Sequence, residues 1–183
     1  MKINTKTVVI SAMLIAIEVV FSRLLAINLL IAKVGLGFAA IVVCAMLYGP
    51  VWAALCAALG DLAGALLFPT GAFFPGFTAT AALTGLIYGL FLYKSRPGLR
   101  QCFFAALTNG LVVTLILNTA MISWVFGPDF WPLLYTRLAE FGVMLLIQTL
   151  VMTAISRSDT LYGKLMELRT QKLPKTLDKQ AKI

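Results

Sequence analysis

Apolar residues run in long blocks along this chain, and polar residues gather in short breaks between them. The first block covers about residues 8–31 and is interrupted by Glu18, Arg23 and Asn28. The second, 36–48, is short and stops at Gly49-Pro50. The third, 51–68, stops at Pro69-Thr70-Gly71, and the fourth covers 77–93. The fifth runs from about 102 to 126 and the sixth from about 132 to 155, and the remainder is polar and basic. A crossing helix needs about 20 apolar residues, so the blocks predict six transmembrane helices. The second block is too short for a straight span and predicts a buried, tilted or irregular helix. A cleavable signal peptide has a shorter apolar core, so the first block is read as a retained helix. The expected architecture is an all-α integral membrane protein of the cell membrane. A six-helix membrane domain occupies residues 1–157, and a basic cytoplasmic tail occupies 158–183.

Composition narrows the class. Of 183 residues, 61% are hydrophobic and 12% charged, against about 45–50% and about 25% in soluble domains. A water-soluble globule and a disordered chain are both excluded. The runs do not alternate as barrel strands do.

The net charge of +8 acquires meaning from its position. Basic residues mark the cytoplasmic side of a membrane protein. With the N-terminus inside, twelve of the fifteen Lys and Arg fall in the N-terminus, the loop at 94–100 and the tail. Lys33 alone falls in an outer loop. The expectation is that both termini are cytoplasmic, with no nucleic-acid partner. In the tail, Leu161, Leu165 and Leu168 recur at helical spacing among Lys164, Glu167 and Arg169. This suits either an anionic membrane lipid surface or a frayed, solvated end.

Several chemistries are excluded. There is no His, so His-based catalysis and His metal sites are ruled out. The three cysteines, Cys44, Cys56 and Cys102, form neither a disulfide framework nor a zinc pattern. No GxxxxGK[ST] loop is present, so the chain does not power transport by itself. No metal, cofactor or enzymatic activity is expected.

The informative residues are the polar ones inside the apolar blocks, because ionisable groups there usually face a cavity or a partner. Arg23 lies about fifteen residues into the first helix, ~23 Å from its start, in the outer half. Arg137 and Lys33 also belong to the outer side. Three cations there suit an anionic ligand; alternatively Arg23 pairs with Glu18 or Glu140 and Arg137 snorkels to the interface. Asp61 falls near the midplane, where a carboxylate can bond an amine-bearing ligand edge, carry a proton or pair with an Arg. Asn118 offers a donor and an acceptor. Trp124 offers a flat face, or simply belongs to the interfacial aromatic belt. Phe73 and Phe74, in the outer turn, can stack on a ring or plug the mouth of the bundle. Ala12 and Ala16 form a small-residue ridge that lets another helix approach.

These stretches carry a resemblance. Tyr48-Gly-Pro-Val-Trp-Ala-Ala-Leu-Cys-Ala-Ala-Leu-Gly-Asp61-Leu-Ala-Gly64 resembles the substrate-binding S components of energy-coupling factor (ECF) vitamin transporters. The family has a Gly-Pro turn there, followed by a small-residue helix ending in Gly-Asp. Phe68-Pro-Thr-Gly-Ala-Phe-Phe-Pro-Gly-Phe77, Leu83-Thr-Gly-Leu-Ile-Tyr-Gly89 and Leu117-Asn-Thr119 resemble the folate subgroup. The resemblance covers about residues 5–157. Many members carry a proline in the second helix, where this chain has Gly37-Phe-Ala-Ala40. The resemblance implies the S-component fold and a mechanism. The chain would capture folate outside, dock on a transmembrane coupling subunit carried by two cytoplasmic ATPase subunits, and release the vitamin inside. It also implies that Ala12 and Ala16 form the docking face. Arg23 and Arg137 suit the two carboxylates of folate, and Phe73, Phe74, Trp124 and the acceptor Asp61 suit its flat, donor-edged pterin; Lys33 and Asn118 are further candidate substrate-binding residues. Two other readings stand beside this one. The ligand is another vitamin, pantothenate or riboflavin; or the chain is a self-sufficient proton-coupled transporter using Asp61 and Glu140.

Overall fold

The computed structural model describes residues 5–24, 27–28, 33–69, 73–93, 96–127 and 130–170. Its helices follow the apolar blocks. Helix α1 (Thr5–Val19) passes directly into a π-helical turn, Val20–Leu24. A two-residue antiparallel ribbon follows: β1 (Ile27–Asn28) pairs with β2 (Lys33–Val34), Ile27 opposite Val34. Then come α2 (Gly37–Tyr48), α3 (Pro50–Leu67) and α4 (Pro75–Leu92). The fifth block is not one regular helix. It begins as α5 (Leu99–Asn109), loosens into a π-helical stretch (Gly110–Asn118) and tightens again as α6 (Thr119–Phe126). Helix α7 (Phe130–Arg157) is the longest, and α8 (Asp159–Thr170) takes up the first part of the tail. The tail from residue 171 lies outside the described residues.

Among the described residues, five helical stretches are long and apolar enough to cross a membrane: Thr5–Leu24, Pro50–Leu67, Pro75–Leu92, Leu99–Val125 and Trp131–Arg157. Helix α2 has only 12 residues, about 18 Å, and falls short of a straight crossing. Its sequence, GFAAIVVCAMLY, is apolar on every side, and a helix of that kind belongs in a core. Ten of its residues are buried. It packs against α1, α3, α4, α7 and α8, and Val42, Cys44, Ala45 and Leu47 are at most 2% exposed. All three cysteines are buried, and none is in a disulfide.

A single residue joins α2 to α3. Gly49 has φ 87° and ψ −175°, a conformation reached essentially only by glycine. Its N–H donates to Ala45 O and its carbonyl accepts from Ala53 N, both at 3.0 Å. Pro50 then opens α3, where its missing N–H costs nothing. This turn lays α3 back along the bundle and against α4. There, Gly85 and Gly89 meet backbone directly. A Cβ at Gly89 would fall on Pro50 Cα, and one at Gly85 on the Ala53 carbonyl. Small residues at such a seam let two helices approach closely in a membrane.

The start of the π-stretch is tied to two other helices. Asn109 Nδ2 donates to Tyr88 Oη at 3.0 Å, and Tyr88 Oη donates to Gln148 Oε1 at 3.1 Å. The chain of bonds links α5, α4 and α7. Next to it, Gly110 lies under the Phe141 ring, leaving no room for a side chain.

Helix α8 is clasped to the end of the bundle. Arg96 Nε donates to Ser156 O at 2.9 Å and Arg96 Nη2 to Arg157 O at 3.0 Å. The same guanidinium meets Asp159 at 2.7 Å and lies 5.1 Å from the centre of the Tyr162 ring. Arg169 Nη1 donates to Tyr93 O at 2.9 Å and stacks 4.1 Å from the Tyr93 ring. Two of the basic residues read as topology markers therefore also hold α8 in place. Leu161 and Leu168 stay on its exposed side, with Lys164 between them.

Gly89→Ala is expected to force α3 and α4 apart and to cost about 1–3 kcal/mol, the usual penalty of overpacking. A melting curve in detergent checks this; an unchanged transition would mean that the seam has room.

Candidate functional site

The π-turn at the end of α1 carries Ser22 and Arg23 towards α3 and α4. Arg23 Nη2 donates to Asp61 Oδ1 at 3.5 Å, forming an ion pair whose side chains are 15% and 22% exposed. The other Asp61 oxygen, Oδ2, accepts from Thr78 Oγ1 at 2.9 Å. Asp61 is thus held from two sides, by α1 and by α4. Of the pairings open to Arg23 and Asp61 in the sequence, the structure shows the one between them.

Two glycines on α3 make this arrangement possible. A Cβ at Gly64 would sit 3.0 Å from Arg23 Nε and 3.5 Å from its Cγ. A Cβ at Gly60 would fall on the Glu18 carboxylate. Glycines one turn apart therefore each seat one charged side chain of α1, Glu18 over Gly60 and Arg23 over Gly64. On α2, Gly37 lies against Ser22 Cβ and the Glu18 carbonyl, again with no room for a side chain.

These residues enclose a cleft of about 340 Å³. Its polar lining comprises Glu18, Ser22, Arg23 and Asp61, and its apolar lining includes Phe38, Ile41 and Met144. Charges in low dielectric act strongly on a ligand, and a cleft with one cation and two carboxyl groups accepts both acceptor and donor edges.

A second cavity, of about 380 Å³, lies at the other end of α4 from its Gly89 seam. Phe74, Gly76, Leu117, Ala120, Met121 and Trp124 line it. Phe74 is the extended residue before α4, and its ring meets Phe77 edge-on with centroids 5.9 Å apart. Gly76 allows this fold-back, because a Cβ there would strike the Phe74 ring and lie 2.9 Å from Met121 Sδ. The lining is apolar and aromatic, as suits a flat organic ring.

The residues singled out in the sequence fall into groups. Arg23 and Asp61 come together in the first cleft, and Phe74 and Trp124 in the second cavity. Phe73 is 48% exposed just ahead of α4, and Trp124 is 82% exposed. Asn118 follows Leu117 at the end of the π-stretch, and its Oδ1 is buried without a hydrogen-bond partner among the described residues. The same holds for Arg137 Nε on α7. Arg137 lies seven residues before Met144, hence on the same face of α7 and about 10 Å along it. Ser11 Oγ, Trp52 Nε1 and Asn109 Oδ1 share this condition among the described residues. Lys33 belongs to β2, and its side chain lies outside the described residues. Ala12 and Ala16 are exposed on the side of α1 opposite Thr7, Ser11 and Glu18, which are buried. Sequence reading missed Gly60, Gly64 and Thr78 as parts of the site.

The model of the family "ECF transporter, substrate-specific component" matches residues 6–158. The chain belongs to this family. A substrate-specific component is a binding subunit and not an enzyme, and this one is a multi-pass membrane protein with the S-component fold. It is 34% identical over 140 residues to "Folate transporter FolT" of Clostridium novyi (strain NT), covering 76% of this chain and 81% of that one. It is 41% identical over 93 residues to a protein of the same name from Leuconostoc mesenteroides, covering 51% and 50%. Among solved structures it is similar to one described as "Crystal structure of FolT bound with folic acid", with a TM-score of 0.77 and 32% identity, covering 83% of this chain and 92% of that one.

In this substrate-specific component, Asp61→Ala removes the carboxylate that Arg23 and Thr78 both engage and is expected to cost about 1–3 kcal/mol, the usual range for losing such hydrogen-bonded contacts. Arg23→Met combined with Asp61→Leu removes both charges and should recover most of that stability. Thermal unfolding of the single and double variants checks this; equal destabilisation would mean that the pair does not act as a unit.

Proposed function

We propose that this chain is the folate-binding S component of an ECF-type importer. It captures folate from outside, docks on a transmembrane coupling subunit with two cytoplasmic ATPase subunits, and releases the vitamin inside. The observation that carries the ligand is the pairing of an ionic cleft with a separate aromatic cavity further along α4. Folate is a flat donor-rich pterin joined to a glutamate with two carboxylates, and it needs both kinds of surface. The folate transporters of similar sequence and the similar structure holding folic acid support the same ligand.

In this reading Phe73, Phe74 and Trp124 contact flat parts of the vitamin, and Asn118 contributes a polar contact. Arg137 and Lys33 attract its carboxylates, because a guanidinium fork binds a carboxylate through two hydrogen bonds, and Arg23 contributes a charged donor to the cleft that takes the vitamin. Helix α2 serves as the sixth crossing, and both termini lie in the cytoplasm. The exposed ridge of Ala12 and Ala16 docks on the coupling subunit. The alternative of a self-sufficient proton carrier fits less well, because Arg23 and Thr78 already engage Asp61.

A mass spectrum of ligand co-purified with the detergent-solubilised protein should show a folate; recovery of pantothenate or riboflavin would replace the ligand and keep the class. Arg23→Ala and Arg137→Ala are each expected to weaken folate binding by about 1–3 kcal/mol, the cost of a lost charge-assisted contact. Calorimetric titration reads this directly, and wild-type affinity in both variants would refute the charge-assisted contacts. Ala12→Trp or Ala16→Trp should leave binding intact and abolish uptake by the assembled transporter; normal uptake would exclude this ridge as the docking face.

A further inference from the structure

We infer that Glu18 is the residue that reads the donor edge of the ligand's ring, and that Asp61 positions the cleft around it. The inference rests on the folate reading above and adds a residue and a role to it. Glu18 is 7% exposed, yet its side chain lines the cleft together with Arg23 and Asp61. Its carboxyl group lies flat against Gly60, the one residue type that leaves space for it there.

The two carboxyl groups of the cleft are not equivalent. Asp61 is committed on both oxygens, Oδ1 to Arg23 and Oδ2 to Thr78. Among the described residues, no hydrogen bond or ion pair takes up the carboxyl group of Glu18. A buried acidic group without hydrogen bonds is costly, and in a membrane span it marks a functional position. A ligand group that supplies donors to both oxygens fits this place. A pterin presents a ring N–H and an exocyclic amino group side by side, and two parallel donors match the two oxygens of a single carboxylate.

The same geometry orients the ligand. Met144 lines the cleft, and Arg137 lies two turns back along the same face of α7. On α4, Ala81 lines the cleft and Phe74 and Gly76 line the second cavity, again about two turns away. A ligand with its ring edge on Glu18 extends along α4 and α7 and brings its far end level with Phe74 and Arg137. The donor edge thus lies at the floor, and the carboxylates lie towards the start of α7.

The test uses Glu18→Gln in the full-length protein and two ligands, folate and pteroate, which keeps the pterin and lacks the glutamate. Gln keeps the length but replaces one acceptor by a donor. Calorimetric titration should show both ligands weakened about tenfold or more, with the melting temperature kept. Arg137→Ala should instead weaken folate and spare pteroate. Wild-type affinity of Glu18→Gln for both ligands would overturn the inference. So would a loss confined to folate, which would place Glu18 at the glutamate end. If the variant does not fold, the wild-type protein decides the matter with folate and its 2-desamino analogue. A preference of about tenfold for folate supports the role, and equal affinity overturns it. Failure of the wild-type protein to bind folate at all would instead sink the folate reading itself.

Discussion

A charge in the hydrocarbon layer has to be enclosed by protein, and in this chain the ion pair of Arg23 and Asp61 meets that constraint. The pair joins residues 38 positions apart and fixes how α1, α3 and α4 lie around the cleft. Its enclosure requires that α1 turn its polar side inward, and Thr7, Ser11 and Glu18 are accordingly buried. It also requires that α3 present no side chains where those of α1 arrive, which Gly60 and Gly64 ensure. The apolar side of α1, with Val8, Val9, Met13 and Ile17 exposed, is thereby left facing outward.

Around this pair the bundle divides into a close-packed part and a looser one. Helices α2, α3 and α4 touch through small residues and a one-residue turn, and α2 supplies more of the core than any other helix. Beyond Asn109 the fifth helix unwinds into π geometry, which is rare and frequently found at functional positions. This stretch ends at Asn118 and leads into α6, which lines the aromatic cavity. The charged cleft lies against the close-packed helices, and the irregular fifth helix borders the flat, apolar cavity.

Much of the architecture was legible in the pattern of apolar blocks, because hydropathy dictates which segments enter a membrane. The shortness of the second block was legible too, and its all-round apolar character explains why it became core. The charged candidates were visible for a related reason: Arg23 and Asp61 stand out in apolar surroundings. Their meeting was not visible, since it depends on how α1 crosses α3. Thr78 gave no signal, because threonine is common in such helices. The interruption of the fifth helix was equally hidden, because its apolar block shows no break at residues 110–118. Glu18 could be seen as an intramembrane acid, but its role depends on Asp61 being occupied, a fact of packing alone.

The glycine seats have a consequence for how such a site changes over evolutionary time. A seat and its occupant form one unit: residue 60 is tied to residue 18, and residue 64 to residue 23. A methyl group acquired at position 60 is tolerable only with a shorter side chain at 18, and a longer one at 18 only with the bare backbone at 60. Substitutions at these positions should therefore arise in matched couples. Grafting the specificity of one such protein onto another should succeed only when each couple is transplanted whole.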